Sequence, residues 1–203
     1  MKATIVCDAR ARGREIFLAS RSKARRALLR RIGLSFRTAV PRAEERGAHP
    51  GGGAALVVSN ARRKALDVAR RLRSGIVIAA DTVVTAGGAV AGKPRDLAEA
   101  RATLKLLSRR PHWVHTGVAV ADVARRRVYT AAERTKVFMR PLSDREINRY
   151  FRRVSPLGMA GGFDIQGLGG VFVERVEGCY FNVVGLPLAV LARLLRRAGV
   201  DMP

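Results

Sequence analysis

The stretch "GIVIAADTVVTAGGAVAGKP", residues 75–94, decides how this chain is read. Its opening, "GIVIAAD", is a continuous apolar run closed by an acid, Asp81, which is the pattern of a strand buried on both faces. Its second half, Gly87 to Lys93, spells G-x-x-x-x-G-K, most of a phosphate-cradling P-loop. That motif needs a Ser or Thr hydroxyl for Mg²⁺ at its next position. Pro94 stands there instead, with neither a hydroxyl nor an N–H to offer. "GGAVAG" reads better as a hairpin turn and return strand that carries Lys93 back toward Asp81 at the end of the preceding strand. A carboxylate closing a buried strand costs desolvation energy unless it binds metal, pairs with a cation or acts as a base. Taken alone, a helix-cap or turn aspartate is the competing reading.

Working outward, Asp96 and Glu99 stand at capping-box spacing ahead of "ARATLKLL", so a helix follows Pro94 directly. Upstream, Ser22 can cap a helix through "KARRALLRRIG" with Gly33 as its stop, and "LSFRTAV" (34–40) reads as a strand. "HPGGG" (49–53) reads as a mobile loop and "NARRKALDVARRLR" as a helix with Ala61, Ala65, Val68, Ala69 and Leu72 on one side. Downstream, strands near 112–121 and 127–138 form a hairpin through "VARRR", and Ser143 can cap "DREINRYF". The Gly-rich segment 156–170 is irregular. It leads to strand-like "VFVERV" and "YFNVVG", then to a helix at "PLAVLARLLRRAG" opened by Pro187. Strands alternating with helices and one hairpin predict an α/β domain with a mixed, twisted sheet and flanking helices. Functional loops are expected where strands end.

A chain of 203 residues with 48% hydrophobic content buries a substantial core and is not a disordered tail. It holds no apolar run of membrane-spanning length, and arginines fill the N-terminus where a signal peptide is apolar, so a soluble, cytoplasmic protein without membrane association is expected. Cys7 and Cys179 are too few for a disulfide framework and lack metal-ligand spacing. The 39 Lys plus Arg against 16 Asp plus Glu leave a formal charge of +23, almost all from arginine spread through every segment. Such a field attracts polyanions. A compositional bias toward arginine and a nucleic-acid footprint both account for it, and no RNP motif, zinc finger or heptad accompanies it.

Lysine is scarce: Lys64 and Lys93 are two of only six, and the pair Glu44–Glu45 stands beside the loop at 49–53. An acid pair able to hold Mg²⁺, together with fixed ammonium groups, is what a triphosphate site needs to offset phosphate charge. His112 and His115 resemble a metal H-x-x-H. On a strand, however, i and i+3 point to opposite faces, so one core or loop histidine and one exposed histidine are expected. Gln166, in a Gly-rich loop, could read a base edge through its amide, and a plain turn is the alternative.

In this order, these pieces resemble the Maf family of nucleoside triphosphate pyrophosphatases. "FLASRSKARRALLRRIGLSF" is similar to that family's opening L-A-S-x-S-x-x-R-x-x-L-L-x-x-x-G motif, "AEE" to its acidic pair and "ARRKA" to its L-A-x-x-K-A helix. "AADTVV", "GKPRDLAEA", "LSRRPHWVHTGVAV" and "AGGFDIQGLGGVFVERVEGCYFNVVGLPL" follow in register, from about Phe17 to Gly199. Residues 1–14 are then an N-terminal extension and 15–203 a single catalytic domain.

The resemblance implies two lobes around a cleft, and hydrolysis of a nucleoside triphosphate to monophosphate and pyrophosphate with a divalent metal, Mg²⁺ or Mn²⁺. It implies Asp81 as the general base and metal ligand, Glu45 as the acid near metal and substrate, and Ser20, Arg25, Lys64 and Lys93 as phosphate-handling residues. Thr82 and Gln166 fall at positions tied to base choice, with the types seen in the dTTP/UTP branch. A homodimer is also implied. The chain departs from the family's S-P-R-R at Ser22-Lys23-Ala24-Arg25, where Ala24 stands at a specificity position, and from E-P-x-D-K-A-G at residues 155–161. A catalytically weakened, basic nucleotide- or nucleic-acid-binding protein on the same fold is the alternative.

Overall fold

The computed structural model describes residues 14–202. Cys7 and the extension expected over residues 1–14 lie outside them except for Arg14. The Arg14 guanidinium donates to buried Asp122 at 2.8 Å and to the carbonyls of Ala198 and Gly199, tying the start of the domain to its end.

Thirteen elements form one mixed sheet with helices on both faces. They are β1 (Ile16–Leu18), α1 (Lys23–Arg31), β2 (Arg37–Thr38), α2 (Gly52–Ala69), β3 (Ile76–Ala86), β4 (Ala89–Ala91), α3 (Leu97–Leu107), β5 (His112–Asp122), β6 (Arg127–Met139), α4 (Asp144–Phe151), β7 (Val173–Glu177), α5 (Tyr180–Val184) and α6 (Leu188–Arg197). The strand order is β2-β1-β3-β5-β6-β7, with β4 pairing β3. Strands β2, β1 and β3 run parallel, and every other pairing is antiparallel. The expected α/β architecture is the one observed.

The P-loop pattern resolves into a hairpin. Gly87 and Gly88 take positive φ, 57° and 84°, and β4 returns along β3 with Val84 opposite Ala91. Strand β3 does not stop at the acid, however. It runs eleven residues to Ala86 and places Asp81 in its middle. The site is therefore built within the sheet rather than where a strand ends.

Alternation along β3 sorts its side chains between two faces. Val77, Ala79 and Val83 face α2, which lays Val57, Ala61, Ala65 and Val68 against them. On the other face, Ile76, Ile78 and Ala80 join α1 and α6 in one core, while Val84 and Ala86 join α3 and α4 in a second. Thr82 falls between the two. Its neighbour across β5 is Thr116, and the two hydroxyls are 2.9 Å apart. Thr116 donates to the Asn182 carbonyl, and Asn182 Nδ2 donates to Thr135 and to the Val114 carbonyl. This polar seam divides the two lobes expected from the resemblance.

Asn182 reaches the seam from a helix. The strand expected at "YFNVVG" is α5, closed by Gly185 at φ 106°. The β-branched and aromatic residues suit a strand by propensity, but tertiary packing against β5 overrides it. Three other expectations change. Helix α2 begins inside "GGG", at Gly52, and only Arg37–Thr38 of "LSFRTAV" pairs as a strand. His112 and His115 do face opposite sides, but both are buried, His112 against Phe163 and His115 on the Thr85 hydroxyl.

Gly117, paired with Asp81, lets α2 sit against the sheet: a Cβ there would lie 2.3 Å from the Val57 carbonyl oxygen. Gly117→Ala forces backbone apart and is expected to cost about 2–3 kcal/mol in urea denaturation. Burial lowers the His112 pKa to about 4, backbone carbonyls opposing in part. The unfolded chain therefore binds the extra proton between pH 6.5 and 4. Stability should fall as pH drops through that window, and His112→Phe should flatten the fall in pH-dependent thermal melts.

Candidate active site

Along one edge, β3 pairs with β1 only as far as Ile78 and with β4 only from Val84. Between them that edge has no strand partner among the described residues, although β5 pairs the other edge from Ile76 to Thr85. Backbone groups left bare in a protein interior need partners. The Ala80 carbonyl finds two, accepting from Arg25 Nη1 at 2.9 Å and from Lys64 Nζ at 3.4 Å. The interruption thus gathers cations from helices on opposite faces of the sheet. It opens onto a cavity of about 1450 Å³ lined by seven cationic and four acidic side chains.

On the α2 side, Lys64 lies within 2.6 Å of both Asp81 Oδ1 and Glu45 Oε1. One buried ammonium therefore holds two carboxylates from different segments. Lys93, brought back by β4, lies 2.9 Å from Glu45 Oε2 and remains half exposed. Burial of Glu45 would raise its pKa, but the two ammonium groups outweigh that and bring it down to about 2. Glu45 is ionised at every pH at which the fold would be assayed.

On the other side, Arg25 spreads its guanidinium over four acceptors. Nε bonds the Gly185 carbonyl, Nη1 bonds Ser20 Oγ and the Ala80 carbonyl, and Nη2 bonds Thr82 Oγ1 at 2.9 Å. Burial lowers its pKa, with the charges of Asp81 and Glu45 opposing. Most of its donors are thus committed to protein groups. Ser20 is buried and accepts from the Ser22 amide as well, while Ser22 caps α1 by accepting from the Arg25 amide. Ala24 lines the cavity in the first turn of this helix.

The structure therefore brings together Ser20, Ala24, Arg25, Glu45, Lys64, Asp81, Thr82 and Lys93 around one cavity. Gln166 stands apart. It is exposed, its backbone N–H donates to Asp164 Oδ1, and it does not line the cavity, whereas Phe163, Asp164 and Ile165 do. Residues 157–160, within the segment that departs from the family pattern, line it too.

Asn60 escapes a reading of the sequence. It lies one helical turn before Lys64 on α2 and is buried. Nδ2 donates to Asp81 Oδ2 at 2.9 Å and to the Arg46 carbonyl, while Oδ1 accepts from the Arg46 amide. Asn60 thus fixes the second oxygen of Asp81 and holds the loop that carries Glu45. The available signal was an amide at a position where helical periodicity puts the buried face, beside Ala61 and Ala65.

Comparison with known proteins follows this geometry. The chain is 45% identical to a dTTP/UTP pyrophosphatase of Pelotomaculum thermopropionicum, over 93% of this chain and 99% of that protein. It is 44% identical to one from Carboxydothermus hydrogenoformans, covering 91% and 99%, and 46% identical to one from Salinibacter ruber, covering 92% of each. A fainter likeness, TM-score 0.44 at 15% identity over 62% of this chain and 71% of that one, is to the Staphylococcus aureus Ham1 protein. The family model described as Maf-like protein matches residues 15–198, and with those relatives it shows that this chain belongs to the Maf family.

Proposed function

We propose that this protein is a nucleoside triphosphate pyrophosphatase that cleaves dTTP, UTP or related pyrimidine nucleotides to the monophosphate and pyrophosphate. One observation carries the reading: Asp81, buried at the floor of a cationic cavity, with each carboxylate oxygen fixed by a different side chain of α2. The names of the relatives supply the substrate class.

In the proposed reaction Asp81 takes a proton from water as the water oxygen bonds to the α-phosphorus. The bond from that phosphorus to the bridging oxygen breaks, and pyrophosphate leaves. Such a base must be aimed, and Lys64 and Asn60 each fix one of its two oxygens. Lys93, half exposed at the cavity, and the cationic lining offset the triphosphate charge. The opening turn of α1, with Ser22 and Lys23 on the cavity, gives an anion a helix N-terminus.

A divalent cation fits the donor set. Two carboxylates, Glu45 and Asp81, converge on one ammonium, and hard cations such as Mg²⁺ are bound through one or two carboxylates plus substrate phosphates. Bound there, Mg²⁺ or Mn²⁺ would neutralise phosphate charge as a Lewis acid. Among the described residues no cluster of three or more His, Cys, Asp or Glu forms a ready cage, and substrate oxygens or water would complete the coordination.

Base selection falls to the other side of the cavity, where the Thr82 hydroxyl, fixed by Arg25 and Thr116, faces an apolar wall of Val84, Val114 and Phe163. Ala24 and residues 157–160 make no hydrogen bond or ion pair to Asp81, Lys64 or Glu45. That separation favours altered selectivity over lost turnover.

A panel of triphosphates with Mg²⁺ or Mn²⁺, read as pyrophosphate release, should show cleavage of UTP or dTTP. Cleavage of none would end the enzyme reading. Asp81→Asn should lower kcat by about a hundredfold to ten-thousandfold with circular dichroism unchanged. Asn60→Leu, close in volume, should lower kcat by about tenfold to a hundredfold, as loss of an orienting contact does. An unchanged kcat in Asn60→Leu would limit Asn60 to packing.

A further inference from the structure

Helix α2 packs on β3 and β5 and reaches part of β6. Beyond it, the same face of the sheet carries six side chains brought together by register. Trp113 on β5 pairs with Lys136 on β6 and Lys136 with Glu177 on β7, while Arg134 lies two residues before Lys136, and Phe138 pairs with Arg175. Each cation lies over a ring. The Arg134 guanidinium carbon is 4.1 Å from the Trp113 centroid and that of Arg175 is 3.9 Å from the Phe138 centroid, with Lys136 Nζ within 5.7 Å of both. Arg134 and Arg175 are exposed, and Trp113, Lys136 and Phe138 are half-buried. Glu177 is the one acid of the group and pairs with Arg175, whereas Arg134 and Lys136 have no carboxylate partner among the described residues.

We propose that this face binds single-stranded nucleic acid, with phosphates on Arg134, Lys136 and Arg175 and bases stacked on the guanidinium planes and ring edges. Stacking on aromatic rings already holds the cations in place, so less side-chain freedom is lost when a polyanion arrives. Alternating flat groups and positive charges on an open sheet are what unpaired bases and their backbone require. The patch contains no aliphatic side chain to enter a bilayer or seat an apolar protein partner. Charge complementarity selects a polyanion, and the rings select one with exposed bases. None of the six residues lines the cavity, so the inference stands apart from the triphosphate reading.

Trp113 is the only tryptophan, and its emission therefore reports on this face alone. Titration of the purified protein with oligo(dT) or oligo(U) at about 50 mM salt should quench it saturably. Three phosphate contacts on a single strand predict affinity falling about 10- to 20-fold between roughly 50 and 200 mM salt. Arg134→Glu combined with Lys136→Glu should weaken binding at least about tenfold while pyrophosphate release is retained. Should that variant not fold by thermal melting, Arg134→Gln with Lys136→Gln should weaken it in the same direction. Unmoved emission, undiminished binding by the folded variant, or quenching by heparin or duplex DNA equal to that by oligo(dT) would each overturn the proposal.

Discussion

The organisation of this protein follows from a gap in strand pairing. Between the end of β1 and the start of β4, one edge of β3 has no strand beside it among the described residues. In a sheet interior this would strand a backbone acceptor, with a cost of about 1–3 kcal/mol. Here the Ala80 carbonyl is taken by Arg25 from one face and Lys64 from the other. Those two cations draw in the rest. Lys64 collects Asp81 and Glu45, Glu45 collects Lys93, and Arg25 ties Ser20 and Thr82 to the Gly185 carbonyl. The opening that makes the cavity and the charges that line it have one structural origin.

This arrangement is not there for stability. Buried ion pairs give back in Coulomb attraction roughly what desolvation costs, and apolar replacements of similar size often do as well. In the proposed reaction, two carboxylates sharing one buried ammonium keep like charges close until phosphate oxygens arrive. The seam through Thr82, Thr116 and Asn182 follows the same logic. A continuous apolar core would fill that face of the sheet, whereas a polar line across it leaves a boundary where a nucleotide can enter.

Much of the fold was legible because its signals are local. Ser22 and Ser143 cap their helices by accepting from Arg25 and Glu146 amides, and Asp96 accepts from Glu99. The hairpin between β5 and β6 keeps the register that its turn allows. Asp81, Lys64 and Lys93 stood out because acids in apolar runs and scarce lysines are visible without a fold. What stayed hidden depends on contacts distant in sequence. α5 looks like a strand until Asn182 has β5 to bond, Asn60 has no visible partner until Arg46 and Asp81 flank it, and β3 appears to end at its acid until the β4 and β5 registers carry it on. Gln166 shows the opposite case, a residue singled out by motif whose exposure could not be read from the sequence.

Helix α2 spans eighteen residues, and its buried face touches Val77 and Ala79 at one end of β3 and Val83 at the other. It therefore backs both lobes without interruption, as a splint backs a joint. The strands β3 and β5 also run unbroken beneath the seam. Separating the lobes would mean bending both strands and the helix together, so these three elements supply no hinge between the walls of the cleft. A site built this way sorts its ligands by how well they fit a fixed opening rather than by how firmly it can shut on them.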